Sequence, residues 1–247
     1  MIVEFIGCTG AGKTTLFRKV QCQLAKSAEV TTPFELAATP VGLHGVAHPT
    51  VRNLFQELVG WPFFLGSMNR HRAFVSFTLK MLARQAGFNV FTLNNLRSLE
   101  RKVGVYEFGR RLGRGQIILV DEGTVLTAHN LFVYSEATYT REEITTFAEV
   151  VPLPDIIVYI KAPRDILLKR TRQRPDPPRE MKLQSPDMLE LYINRAVTMF
   201  EQLTQAETIR SRLLEVENDD VEGDGIETAV NRITAFILNY TPSLYPQ

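Results

Sequence analysis

The sequence predicts an α/β protein, a three-layer α/β/α arrangement around a five-stranded parallel sheet. Strand-like runs fall at residues 2–6, 29–32, 117–121, 156–160 and 213–216. They alternate with helical patterns from end to end, which implies parallel pairing with helices on both faces. Ile117-Ile-Leu-Val and Ile156-Ile-Val-Tyr-Ile are continuously apolar, as suits strands buried on both sides. The 247 residues are 45% hydrophobic and 22% charged, enough for a single domain spanning 1–247 with a sizeable core.

The first run, Ile2 to Ile6, leads into Gly7-Cys-Thr-Gly-Ala-Gly-Lys-Thr14, which fills the pattern G-x-x-x-x-G-K-[ST]. Leu16, Phe17, Val20 and Leu24 then recur at helical spacing and predict a helix from about Lys13 to Ser27. Strand, glycine-rich loop, helix is the order that a phosphate-binding loop requires. The fold expected is therefore of the P-loop NTPase type. Gly7, Cys8, Thr9, Gly10, Ala11, Gly12, Lys13, Thr14 and Thr15 are the candidate ATP-binding residues. The glycines let backbone N–H groups turn inward around phosphate oxygens, and the helix start adds its positive end. Lys13 would reach the β- and γ-phosphates, and the Thr14 hydroxyl would ligate Mg²⁺.

Glu29 to Thr32 reads as the second strand, stopped by Pro33. Residues 33–49 hold Pro33, Pro40, Gly42, Gly45 and Pro49, so they read as a long irregular loop. His44 and His48 lie there with no Cys, Asp or Glu beside them, and are read as loop residues. Residues 50–115 form a helical block with no strand signal. Val51, Leu54, Phe55 and Leu58 make one short stripe ended by Gly60; Trp61 to Gly66 is a dense apolar patch. Helices are expected over 69–86 and 94–112, the latter broken near Gly104.

The third strand ends in Asp121, followed by Glu122 and Gly123. A helix is expected over 124–134, and Thr140-Arg-Glu-Glu143 is a capping box for a helix reaching Val150. After the fourth strand, Ala162-Pro163 opens a helix to about Gln173, and 174–178 is a proline-rich break. Ser185-Pro-Asp187 caps a long helix carrying Leu189, Ile193, Ala196 and Phe200. The fifth strand, Leu213 to Val216, precedes a last helix capped by Asp224.

Two constellations join the phosphate loop. A parallel sheet delivers the ends of its strands to the ligand edge, so Asp121 is a candidate Mg²⁺ ligand with Thr14. Arg170 and Arg174 are four residues apart and share a helix face. Guanidinium forks there can neutralise a transferring phosphoryl group. This gives an Arg-rich lid over about 170–186.

On these motifs the chain resembles the P-loop nucleoside and nucleotide kinases, thymidylate kinases and deoxynucleoside kinases in particular, over nearly its whole length. Val158 to Arg174 is similar to their strand and R-x-x-x-R lid, so the resemblance implies that Arg170 and Arg174 close over the transferring phosphate. Leu213 to Asp219 resembles the strand and loop that pass the adenine. Phe64-Leu-Gly-Ser-Met-Asn-Arg-His-Arg72 is similar to the helix lining their acceptor site, which implies substrate-binding roles for Asn69 and Arg70. Two features depart from the family pattern. No acidic residue stands at Cys8 and Thr9, and Asp121-Glu122-Gly123 lacks the arginine found after the third strand.

The function expected is an ATP-dependent small-molecule kinase, a phosphotransferase acting on a hydroxyl or phosphate acceptor of nucleoside, nucleotide or sugar-like kind. Lys13, Asp121, Glu122, Arg170 and Arg174 are its candidate catalytic residues. Glu122 or Glu35 would orient or deprotonate the acceptor. The negative charge of Glu122 favours a neutral, polyol-like acceptor. The alternative is an NTP hydrolase or switch using Asp121-Glu122 as a Walker B pair. Net charge is +1, from 28 basic and 27 acidic residues, which argues against a nucleic-acid or polybasic membrane surface. No apolar run approaches the ~20 residues of a spanning helix. The chain enters a strand at once, so no signal peptide is expected. Cys8 and Cys22 are placed unlike a disulfide pair, consistent with a cytoplasmic protein. The apolar stretch near Trp61 to Phe64 is a candidate homodimer face, or equally core.

Overall fold

A computed structural model describes residues 1–43, 48–84, 90–133, 138–174, 186–219 and 224–240. His44 and Ser185 lie outside them, as does most of the expected lid. The five strands are β1 (Ile2–Ile6), β2 (Val30–Thr31), β3 (Ile117–Val120), β4 (Ile156–Lys161) and β5 (Leu213–Glu217). They form one sheet in the order β2-β3-β1-β4-β5, and every pairing is parallel. β1 and β3 are buried along their whole length; β3 is apolar throughout, as such burial favours, whereas β1 carries Glu4 in its middle. From β1 the chain moves to one side of the sheet for β2 and β3, then to the other for β4 and β5. A crevice therefore opens beyond the carboxyl end of β1.

Helix α1 (Lys13–Leu24) packs against α11 (Asp224–Asn239). A second group packs around α9 (Pro186–Leu203), which touches α6 (Thr127–Phe132), α7 (Arg141–Val150) and α8 (Arg164–Arg172). Phe74 of α4 (Arg72–Ala83) completes that group through an edge contact with Phe147, centroids 5.8 Å apart. α7 begins with the expected capping box: Thr140 and Glu143 exchange side chain-to-backbone bonds of 3.2 and 2.9 Å. Helix α10 (Glu207–Arg210) leads into β5. One core, including Phe5, Leu16, Leu119, Val158 and Phe200, runs through the sheet and both helical groups.

Three expectations are corrected between residues 33 and 112. Residues 33–49 are not wholly irregular. Pro33–Ala38 is helix α2, capped by Thr32, with Pro33 in the first turn and Glu35 closing a capping box. Pro33 ends the second strand as expected and also starts this helix. Helix α3 (Pro49–Ser67) does not stop at Gly60 and carries Pro62 inside it. Helix α5 (Val90–Leu112) likewise runs unbroken through Gly104. Both glycines have the same cause. A Cβ on Gly104 would lie 2.7 Å from the carbonyl carbon of Gly60 and 2.9 Å from its Cα. The pair lets α3 and α5 cross backbone to backbone, and that packing carries α3 past its proline.

The outer face of α3 is apolar and open. Val51, Leu54, Leu58, Trp61, Leu65 and Met68 are each between 44% and 68% exposed. No helix among the described residues is long and apolar enough to cross a membrane.

Candidate functional site

The phosphate loop sits at the carboxyl end of β1, and its neighbours hold its shape. Gly12 has φ +87°, a conformation open to glycine, and a Cβ there would strike the Asn218 amide. Asn218 follows β5 and donates from Nδ2 to the Ala11 carbonyl at 2.7 Å. From α8, Arg170 Nη1 donates to the Gly10 carbonyl at 3.4 Å and the Asn218 carbonyl at 3.3 Å. Thr171 Oγ1 donates to the Thr9 carbonyl at 3.4 Å. Lys13 donates to the carbonyls of Gly7 and Cys8 at 2.8 and 3.0 Å. Burial lowers the Lys13 ammonium, while Cys8 and Asp121 oppose that. Burial pushes the Cys8 thiol up to about 12, so it stays protonated and serves as packing.

A cleft of about 560 Å³ opens over this loop. Gly10, Lys13, Thr15, Arg170 and Arg174 line it together with Asp121. The structure thus brings the expected lid arginines to the phosphate loop. Thr14 Oγ1 donates to Asp121 Oδ2 at 3.3 Å. The other Asp121 oxygen, Oδ1, is buried with no protein hydrogen-bond partner. Burial raises the Asp121 carboxyl, with Lys13 opposing. A hydroxyl beside a carboxylate with a spare buried oxygen is a donor set that fits Mg²⁺.

A second cleft of about 370 Å³ adjoins the first. Its floor is Phe17 and Phe34, and α1 gives it Arg18 and Gln21. The helical block supplies Arg52, Asn53 and Gln56 from α3, and Arg101 and Lys102 from α5. Among the described residues, Thr14, Lys102, Asp121 and Glu122 line both clefts.

Lys102 was not legible as a site residue from spacing around the phosphate loop. It is 4% exposed. Burial lowers its ammonium to about 8, while Glu122 and Glu4 hold its charge. Glu4, on β1, is itself 1% exposed. Its carboxylate accepts from the backbone N–H of Val125 at 3.1 Å and of Leu126 at 2.8 Å. Burial nevertheless raises it to about 7. One signal was available: Lys102 stands between Leu99 and Tyr106 on the apolar face of α5, where a lysine is out of place. His129 also lines the phosphate cleft. Burial lowers it to about 3, so it is neutral, and it pairs with the Tyr192 hydroxyl at 3.1 Å.

Two expected substrate residues are elsewhere. Asn69 and Arg70 line neither cleft. Arg70 instead pairs at 3.3 Å with Glu107, a fully buried carboxylate that also meets His71 at 2.8 Å and Arg110 at 3.0 Å. Beyond α3 the chain has turned away from the phosphate loop, so the α3 and α5 segments nearest it form the cleft. Glu35 does line the second cleft. Its carboxylate is already engaged, accepting from the Thr32 N–H at 2.7 Å and from Gln21 at 3.2 Å.

Among solved structures, the chain is similar to deoxyadenosine kinase from M. mycoides, with 15% identity, a TM-score of 0.49, and 96% of this chain and 98% of that one covered. It is similar to thymidylate kinase from Ehrlichia chaffeensis at 14% identity and TM-score 0.48, covering 96% and 98%. It is similar to shikimate kinase from Bacteroides thetaiotaomicron at 14% identity and TM-score 0.46, with the same coverage. No protein-family model matches the chain, and no curated protein matches it.

Proposed function

We propose that this protein is a phosphotransferase that passes the γ-phosphoryl group of ATP to a small acceptor held in the cleft between α1, α3 and α5. The observation that carries the reading is the shared wall. Two clefts of different lining meet at Thr14, Lys102, Asp121 and Glu122, where a phosphoryl group leaving one would enter the other. A hydrolase that only activates water has no use for the second cleft. Thr14 and Asp121 would hold Mg²⁺, which would neutralise charge on the nucleotide phosphates. Lys13, Arg170 and Arg174 add positive charge around the transferring group. Glu122, exposed at the junction, is placed to orient an acceptor hydroxyl and accept its proton.

The acceptor is read as anionic. Arg18, Arg52, Arg101 and Lys102 face the second cleft. No carboxylate lies within ion-pair distance of any of the four among the described residues. Two of the opposing carboxylates are committed, Glu35 to the α2 cap and Asp121 to the metal position, which leaves Glu122 to face the acceptor. That balance replaces the neutral acceptor that Glu122 alone suggests. A carboxylate- or phosphate-bearing compound with an apolar or planar part suits Phe17 and Phe34.

The test is ADP formation from ATP and Mg²⁺ across a metabolite panel of neutral and anionic compounds, with mass detection of the product. An anionic compound should raise turnover, and Lys13→Ala should lower it by ~10²-fold. Fast ADP release with no acceptor, lost in Glu122→Gln, would make the protein a hydrolase. Phosphorylation of neutral compounds alone would remove the anionic reading and leave the kinase.

A further inference from the structure

We propose that Lys102 is a catalytic residue, the cation that holds the transferring phosphoryl group where the two clefts meet. The inference rests on the phosphotransferase reading above. It assigns the transfer point to a helix outside the phosphate loop and outside the arginine-rich segment.

Four residues line both clefts among the described ones. Thr14 and Asp121 form the metal position, and Glu122 faces the acceptor. Lys102 is the cation of the four. A phosphoryl group in transit spreads negative charge over its equatorial oxygens, so a fixed positive charge at the crossing point favours transfer. Position 123, after Asp121-Glu122, is Gly, and a Cβ there would collide with the Glu4 carboxylate. The turn after β3 thus has no room to bring a basic side chain of its own at that position. α5 supplies the charge instead, across the cleft.

The surroundings fix this lysine in place. Gly104, two residues on, locks α5 against α3 through Gly60. Glu4 lies behind, with both carboxylate oxygens held by the Val125 and Leu126 N–H groups, and cannot swing out to meet the ammonium. Lys102 is therefore largely dehydrated, with no carboxylate within ion-pair distance among the described residues, the setting in which a cation acts most strongly on an arriving anion. In the step itself, an acceptor oxygen bonds to the γ-phosphorus. The bond from that phosphorus to the β-phosphate oxygen breaks, and its electron pair stays on ADP. The proton of a hydroxyl acceptor passes to Glu122. Lys102 keeps its protons throughout.

The competing role is structural, with Lys102 serving only to neutralise Glu4 and Glu122. Calorimetric titration of wild type, Lys102→Met and Lys102→Arg with Mg²⁺·ADP and with the Mg²⁺ complex of a β,γ-imido ATP analogue separates the two without any acceptor. A γ-phosphate residue should leave ADP affinity within about twofold and should abolish the preference for the triphosphate analogue in Lys102→Met. Lys102→Arg should restore that preference. Should Lys102→Met fail to fold, Glu4→Gln/Lys102→Met removes both buried charges, and the same comparison applies. A folded variant with an unchanged triphosphate preference overturns the proposal and leaves the kinase reading standing. Wild-type protein that binds neither nucleotide removes the donor site and the proposal with it.

Discussion

Gly104→Ala should destabilise the protein and loosen its acceptor cleft while sparing the nucleotide site. A Cβ at 104 would lie 2.7 Å from the Gly60 carbonyl carbon and 2.9 Å from its Cα. Carbon–carbon contacts settle at about 3.5–4.0 Å, so α3 and α5 must part by roughly 1 Å. Overpacking of that kind costs about 1–3 kcal/mol. Replacing glycine inside a helix returns about 1 kcal/mol, leaving a net loss of up to about 2 kcal/mol. Gly66→Ala is the internal control. It lies in α3, and nothing stands within 4 Å of its Cβ position, so this variant should gain up to about 1 kcal/mol. The two urea midpoints should therefore move in opposite directions. Arg52 and Gln56 ride on α3 and Arg101 and Lys102 on α5. Gly104→Ala should accordingly weaken acceptor binding with Mg²⁺·ADP affinity unchanged. If Gly104→Ala is as stable as Gly66→Ala, the helices do not cross as described.

Arg170→Ala and Arg174→Ala should each lower kcat more than they raise the KM for ATP, because their charge matters most as the phosphoryl group leaves; wild-type kinetics in both would make the segment a solvated basic face. Glu107→Gln should destabilise the protein by about 2–3 kcal/mol at neutral pH. Burial pushes the Glu107 carboxyl up, but bonds from Arg110 and His71 outweigh it and bring it to about 2. A carboxyl lowered by folding stabilises above its ordinary value of 4.5 and loses that contribution as pH falls through 2. The urea midpoints of variant and wild type should therefore converge in that window. The α3 stripe predicts a dimer. Val51, Leu54, Leu58, Trp61, Leu65 and Met68 repeat at alternating steps of three and four, a seam that a second copy can meet across a two-fold axis. Light scattering should report twice the 28.0 kDa chain mass, falling to one chain in Leu58→Glu/Trp61→Glu; a wild-type monomer would refute the seam.

The strands and the phosphate loop were legible because each is written in consecutive residues. Ile117–Val120 is apolar without a break, Ile2–Ile6 is apolar but for Glu4, and G-x-x-x-x-G-K-[ST] carries its geometry in its spacing. Arg170 and Arg174 were legible as a pair four residues apart, and both reach the cleft, but the shared helix face is corrected: α8 ends at Arg172 and Arg174 lies past its cap. Gly60 and Gly104 misled because a local reading treats glycine as a breaker, and the prolines and glycines of 33–49 hid helix α2 for the same reason. Gly60 is placed by a partner 44 positions away, so its meaning lies in the crossing of two helices, which no window contains. Arg70 failed similarly. Its buried partner Glu107 is 37 residues on, and it diverts the side chain from the site that its motif implies.

The acceptor's charge shows the same limit at the point where function is decided. Read along the chain, Glu122 is an acidic residue where a cation was expected, and it argues for a neutral acceptor. In the reading proposed here, the cation comes from α5. Lys102, with Arg101 beside it and Arg52 across the cleft, outnumbers the one carboxylate free to face an acceptor. The sign of the field in that cleft is thus set by how two helices of the block cross over the sheet, and Gly60 with Gly104 sets how closely they do so. Acceptor selectivity and the α3–α5 crossing should therefore vary together. A change at the glycine pair should alter which anions are accepted, whereas a change in the phosphate loop should alter only the rate.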